Sequence, residues 1–103
     1  MATKSGNEST DLTREKTSTM LLSLVIPVYN EEKNIEKVLK EIDELRMLRP
    51  RWTILPIVVN DGSTDCTDRI LDEIASRHQA LVIHLPLNLG IGGAVQAGFR
   101  YAV

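Results

Sequence analysis

Three short runs in this chain are apolar almost from end to end, and each gives way to a polar turn and then to a helical pattern. They are LLSLVIPV ahead of Tyr29-Asn30, the segment from roughly Thr53 to Val59, and Leu81 to Leu85. A one-sided antiparallel strand alternates apolar and polar residues; a run apolar at both alternating positions is a strand buried on both faces. Strand, helix, strand, helix, strand, helix with such strands predicts an α/β fold. The expected form is a three-layer parallel sheet in βαβαβα order, joined by right-handed crossovers and covered by helices.

The helical segments follow from spacing. Ile35, Val38, Leu39, Ile42 and Leu45 recur at three and four, giving one apolar stripe with Lys and Glu opposite. Asn30 is the expected cap of that helix, with Glu31 and Glu32 in its first turn, where carboxylates suit the positive end of the helix dipole. Pro50 disfavours helical geometry at Arg49, so the helix ends near Leu48. Pro56 is tolerable in the second strand only outside the ladder or at a bulge. Asp65 or Thr64 caps the next helix, whose stripe is Ile70, Leu71, Ile74 and Ala75, and a last helix runs from about Gly92 to Val103. It ends without a C-cap glycine, and three strands leave two open sheet edges, as expected of a truncated or N-terminal fragment.

Bulk properties narrow the function. At 103 residues the chain is one domain at most. Residues 1–20 are polar and read as a disordered leader, leaving 21–103 as the folded part. The leader lacks the apolar core of a signal peptide, and no apolar run is long enough to span a bilayer. A net charge of −2 creates no field that would gather nucleic acid or an acidic membrane. The single cysteine, Cys66, excludes an intrachain disulfide and a cysteine-cluster metal site, so a reducing, cytoplasmic setting is the default.

In an open parallel sheet, ligands bind beyond the carboxyl ends of the strands. Pro27, Tyr29, Asn30 and Glu31 lie there after the first strand. The run from Asn60 to Asp65 follows the second, and Asn88, Gly90, Gly92 and Gly93 follow the third. Each group has two readings. Asp61-Gly62 is a turn followed by a cap, or Asp61 is a carboxylate placed to accept from a nucleobase N–H. Tyr29 is a half-buried ring, or a flat face for a base to stack on. The glycines and alanines of NLGIGGAVQAG bring a backbone close to a phosphate, or let a helix pack close to the sheet.

Several templates fail. Gly90 and Gly92 begin a dinucleotide fingerprint, but its third glycine is Val95. Asp61, Ser63 and Asp65 begin a calcium loop, but the glycine required at its sixth position is Cys66. No Gly-Lys-Ser/Thr of a P-loop occurs. His78 and His84 are isolated and read as structural or exposed, and Cys66 as packing.

Taken in order and spacing, LVIPVYNEEKNI, IVVNDGSTDCT and NLGIGGAVQAGFRYA resemble the N-terminal part of the family 2 glycosyltransferases, most of all their dolichyl- and polyprenyl-phosphate sugar transferase branch. The resemblance runs from about Leu22 to Val103. It implies the nucleotide-binding, Rossmann-like half of a GT-A fold. Pro27, Tyr29, Glu31, Asp61 and Gly62 would bind the donor substrate, with Asp61 hydrogen-bonding the base of a UDP- or GDP-type nucleotide sugar. Family members usually carry Asp-Asp-Gly-Ser where this chain has Asn60-Asp61-Gly62-Ser63, a departure at the residue not assigned to the base.

The full-length reaction implied is transfer of a hexose-type sugar to a lipid phosphate or saccharide, with a divalent cation, Mg or Mn, offsetting the leaving-group charge. The resemblance places the metal-binding aspartates and the base beyond this chain, so the 103 residues alone are expected to be catalytically incomplete, with neither catalytic nor metal residues of their own. It also allows a place at the cytoplasmic face of a membrane in a full-length form. The alternative function is a non-catalytic interaction or regulatory fragment that self-associates through its open sheet edge.

Overall fold

The computed structural model describes residues 19–102. The leader expected over 1–20 lies, apart from Thr19 and Met20, outside the described residues, and Met20 already opens the first strand. The elements are β1 (Met20–Val28), α1 (Ile35–Leu48), β2 (Trp52–Asp61), α2 (Thr67–Ile74), a short 3-10 turn (Ser76–His78), β3 (Leu81–Leu85) and α3 (Gly90–Ala102). The strands form one parallel sheet in the order β1-β2-β3. This is the βαβαβα arrangement that the three apolar runs predict.

Alternation along β2 divides the core. Ile54 and Val58 face α1 and α2 and join Val28, Ile35, Leu39, Ile42, Leu71 and Ile74 in one cluster. Ile57 and Val59 point the other way, where Ala94 of α3 meets them beside Val25, Ile83, Leu85 and Ala97. The first two crossovers thus run on one face, and α3 passes to the other, lying over β2 and β1. Bulky side chains fill the first interface. The second is built for close approach: a Cβ on Gly98 would run into the Val25 side chain. The packing reading of the small residues in α3 therefore holds at Ala94 and Gly98.

Pro56 is accommodated by register. It pairs with Leu24 on the β1 side, and β3 begins pairing only at Ile57, so the ladder on that side starts after the proline. The stripe of α1 is as spaced: Ile35, Leu39 and Ile42 are buried, with Val38 and Leu45 packed beside them. Full burial of one such side chain contributes about 1.5–3 kcal/mol, which makes this stripe the main anchor of the helix.

Two local expectations are corrected. β1 was expected to be buried on both faces, but it is an edge among the described residues: Val28 is its one buried residue, and Leu21 is 75% exposed. Asn30 does not cap α1, because its φ of 53° and its side chain are turned toward the loop after β2. The chain instead makes a turn, in which the Glu31 carbonyl accepts from the Asn34 and Ile35 N–H groups, and α1 begins at Ile35. Glu31 and Glu32 precede the helix rather than lying in its first turn.

Candidate functional site

The carboxyl ends of β1 and β2 and the start of α3 enclose a cleft of about 190 Å³, lined by Pro27, Val28, Tyr29, Glu31, Asp61 and Ile91. Four of the five residues singled out from the sequence meet there, with Ile91 as a wall that sequence reasoning did not propose. A larger hollow of about 400 Å³ lies at the opposite end of the sheet, against Thr19, Met20, Arg51 and Trp52. It contains none of the motif residues and is at the end of the sheet that parallel α/β folds leave unused.

Asp61 ends β2 and is 4% exposed. One carboxylate oxygen accepts the Leu89 N–H at 2.7 Å, so this residue fastens the loop after β3 to the central strand. The carboxylate still lines the cleft, and no second bond from the described residues reaches it. A buried carboxylate calls for further donors, which a ligand N–H can supply. Tyr29, 45% exposed, lines the cleft as well.

Gly62, the fifth residue, takes another part. Its φ is +70°, and a Cβ there would lie 2.5 Å from the Asn88 nitrogen and 2.7 Å from the Leu87 carbonyl carbon. The glycine lets the loop after β3 pass directly over the end of β2, shaping the cleft from behind. Asn88 then accepts the Gly90 N–H at 3.0 Å and starts α3.

The remaining polar residues of the motif join the first two loops. Asn30 donates its N–H to the Ser63 hydroxyl at 3.0 Å, and its side-chain oxygen accepts the N–H groups of Thr64 and Asp65 at 2.8 and 3.2 Å. Glu31 donates its N–H to the Thr67 hydroxyl at 3.0 Å. The Glu32 carboxylate accepts the Cys66 N–H at 2.8 Å, while Asp65 accepts the Glu32 N–H at 3.4 Å. Asp65 also accepts the Thr67 N–H at 2.9 Å and the Thr67 hydroxyl at 2.5 Å, but the N-cap position of α2 is Cys66, with no side-chain cap bond, so neither Asp65 nor Thr64 is the cap expected from the sequence. Thr64 is engaged with Asn30 instead. Partial desolvation works against the Asp65 charge, but the Thr67 hydroxyl and the N–H groups of Thr67 and Glu32 outweigh it and hold the carboxyl below the usual aspartate range.

Asn60 is 1% exposed and is a residue whose part sequence reasoning left undefined. Its amide donates to the Asp68 carboxylate and to His84 Nδ1, the latter at 3.0 Å, and its oxygen accepts the Ser63 hydroxyl at 2.5 Å. The signal for it was the apolar run itself, since a polar residue inside a buried strand must find partners. The histidines are structural, as read from the sequence. His84 Nε2 meets Asp72 at 2.9 Å, and His78 Nδ1 meets Asp43 at 2.5 Å beside Arg46.

The described residues do not fit a divalent cation: no group of three or more His, Cys, Asp or Glu side chains converges among them. Asp61 and Glu31 alone bring carboxylates to the cleft, and Asp61 is already engaged with Leu89. No described helix is long and apolar enough to cross a membrane.

Residues 23–103 match the model of the glycosyl transferase family 2 domain. A dolichyl-phosphate beta-glucosyltransferase of Trichomonas vaginalis, ALG5D, is 37% identical over 86 residues, covering 79% of this chain and 26% of that protein. An undecaprenyl-phosphate 4-deoxy-4-formamido-L-arabinose transferase of Pectobacterium carotovorum is 38% identical over 85 residues, covering 80% of this chain and 25% of its own. Among solved structures, S. aureus TarS superimposes with a TM-score of 0.65 at 27% identity, over 82% of this chain and 25% of that one. The chain thus spans about a quarter of the length of these relatives. Its sheet and alternating helices are the N-terminal, Rossmann-like half of the GT-A fold. The chain belongs to the family 2 glycosyltransferases.

Proposed function

We propose that residues 21–103 are the donor-binding part of a sugar transferase and that the cleft holds the nucleoside of a UDP- or GDP-type sugar donor. The observation that carries this reading is Asp61, a buried carboxylate at the end of the central strand, pinned by the Leu89 N–H and lining a cleft together with Tyr29. A base that stacks on Tyr29 brings its N–H edge toward Asp61, while Pro27 and Ile91 give apolar walls. Glu31 lines the same cleft and offers a carboxylate that would accept from a ribose hydroxyl.

By similarity to relatives named for dolichyl-phosphate and undecaprenyl-phosphate transfer, the acceptor is a lipid phosphate, with a saccharide as the alternative that the family resemblance implies. The complete reaction then uses a divalent cation and residues outside the described segment, and it takes place in the cytoplasm or at the cytoplasmic face of a membrane. The described residues by themselves bind the donor without turning it over.

Isothermal titration of the chain with UDP and GDP tests the reading. Asp61→Asn keeps an acceptor for the Leu89 N–H but exchanges the charge, and it should weaken binding by about tenfold or more, the usual loss for a charged hydrogen bond. Equal affinity of wild type and variant would overturn the role of Asp61. The exposed outer edge of β1, with Leu21 75% exposed, favours a second reading in which the chain self-associates by strand pairing. A discrete oligomer in light scattering, without nucleotide binding, is its signature.

A further inference from the structure

The resemblance assigns no part to Asn60, and the buried network around it gives it one. Asp68, as a carboxylate, only accepts, so the Asn60 NH2 group must face it, and the Asn60 oxygen faces the Ser63 hydroxyl. The second amide hydrogen then points at His84 Nδ1. That nitrogen has to accept, which leaves the proton on Nε2, where it is donated to Asp72. Ser63 in turn accepts the Asn30 N–H, one residue after Tyr29. One directed chain of hydrogen bonds thus runs from Asn30, which sits between the cleft residues Tyr29 and Glu31, through β2 to β3 and α2.

We propose that Asn60 is a positioning residue for the Tyr29 side of the donor cleft, its neutral amide fixing His84 as the Nε2–H tautomer and, through Ser63 and Asn30, holding the backbone beside Tyr29. The inference rests on the proposed donor-binding reading only for its ligand. An aspartate at position 60, the residue usual in the family, is incompatible with these surroundings. It would set a carboxylate against Asp68 and against the lone pair of His84 Nδ1, with the Ser63 hydroxyl as its one remaining donor. The facing titratable groups are Asp68 and Asp72 on α2 and His84 on β3, and the mismatch at Nδ1 is relieved when His84 takes up a second proton there.

The test is nitrogen-edited NMR of the histidine rings at neutral pH, paired with UDP and GDP titration of the same samples. Wild type should show His84 as the neutral Nε2–H form. Asn60→Asp should show it doubly protonated, with nucleotide affinity reduced by about tenfold. In Asn60→Asp/Asp68→Asn the carboxylate and amide change places, and affinity should return to within about threefold of wild type, which a merely damaged core would not allow. If the single variant does not fold, the double variant carries the test, with His84 still doubly protonated. A wild-type Nδ1–H tautomer, or an Asn60→Asp protein with His84 and affinity unchanged, would overturn the proposal. Absence of nucleotide binding by wild type would instead sink the donor reading, and the tautomer of His84 would still decide the part played by Asn60.

Discussion

Where the loops after β1 and β2 meet, side chains do the joining: Asn30, Glu32, Ser63, Asp65 and Thr67 exchange bonds with each other's backbones across more than thirty residues of sequence. Where the loop after β3 meets β2, the backbone itself makes the approach. Gly62 leaves room for Leu87 and Asn88, and one carboxylate, Asp61, pins one amide, Leu89. The first junction is redundant, because several bonds share the load. The second is not, and the cleft is built on it. A ligand site placed beside the less redundant junction gains direct control of its shape from two residues, at the cost of sensitivity to either.

That contrast orders the expected effects of mutation. Gly62→Ala should be the most damaging, since it strains a left-handed backbone and drives a methyl group into the Asn88 nitrogen. A loss on the order of 3 kcal/mol is expected in urea denaturation, together with loss of nucleotide binding. A stability near wild type would mean that the loop after β3 can move aside, and the contrast between the junctions would fail.

Asp65→Asn probes the redundant junction and should cost clearly less. The folded-state value of Asp65 lies below that of the unfolded chain. Its contribution is therefore fully present above the ordinary aspartate range and is lost as pH falls through the lower, folded-state value. The wild type should lose stability through that acid window more steeply than the variant. Parallel pH profiles in thermal melts would remove Asp65 from the clasp. Smallest of all, Tyr29→Phe keeps the stacking face and should change UDP or GDP affinity by less than about threefold, whereas Tyr29→Ala removes a contact typically worth about 1–3 kcal/mol.

Much of the fold was legible because parallel sheets leave a periodic record. The three apolar runs became β1, β2 and β3, and the stripe from Ile35 to Leu45 is the buried face of α1. The glycine at position 62 and the carboxylate at 61 were visible as features of a strand end. What was not legible is long-range and aperiodic. Asn30 has the residue type of a helix cap and the position of one, yet its side chain bonds to residues 64 and 65. Local chemistry does not distinguish a cap from a tie between loops, since both use the same acceptor on the same kind of N–H. Asn60 was obscured for a related reason: its partners Asp68 and His84 come from separate elements, and only the register of β2 with β3, which pairs Asn60 with His84, brings them together. The burial of β1 was overread because an apolar run shows what a strand can be buried by, not what lies beside it among the described residues.

The central claim is that the cleft between Tyr29 and Asp61 receives a nucleotide, and the most direct measurement is amide NMR of the labelled chain during titration with UDP and GDP. Shifts should concentrate at Tyr29, Glu31, Asp61, Leu89 and Ile91, and Asp61→Asn should need about tenfold or more nucleotide to produce them. Shifts gathered instead around Met20 and Trp52 at the other end of the sheet, or none with either nucleotide, would contradict the account.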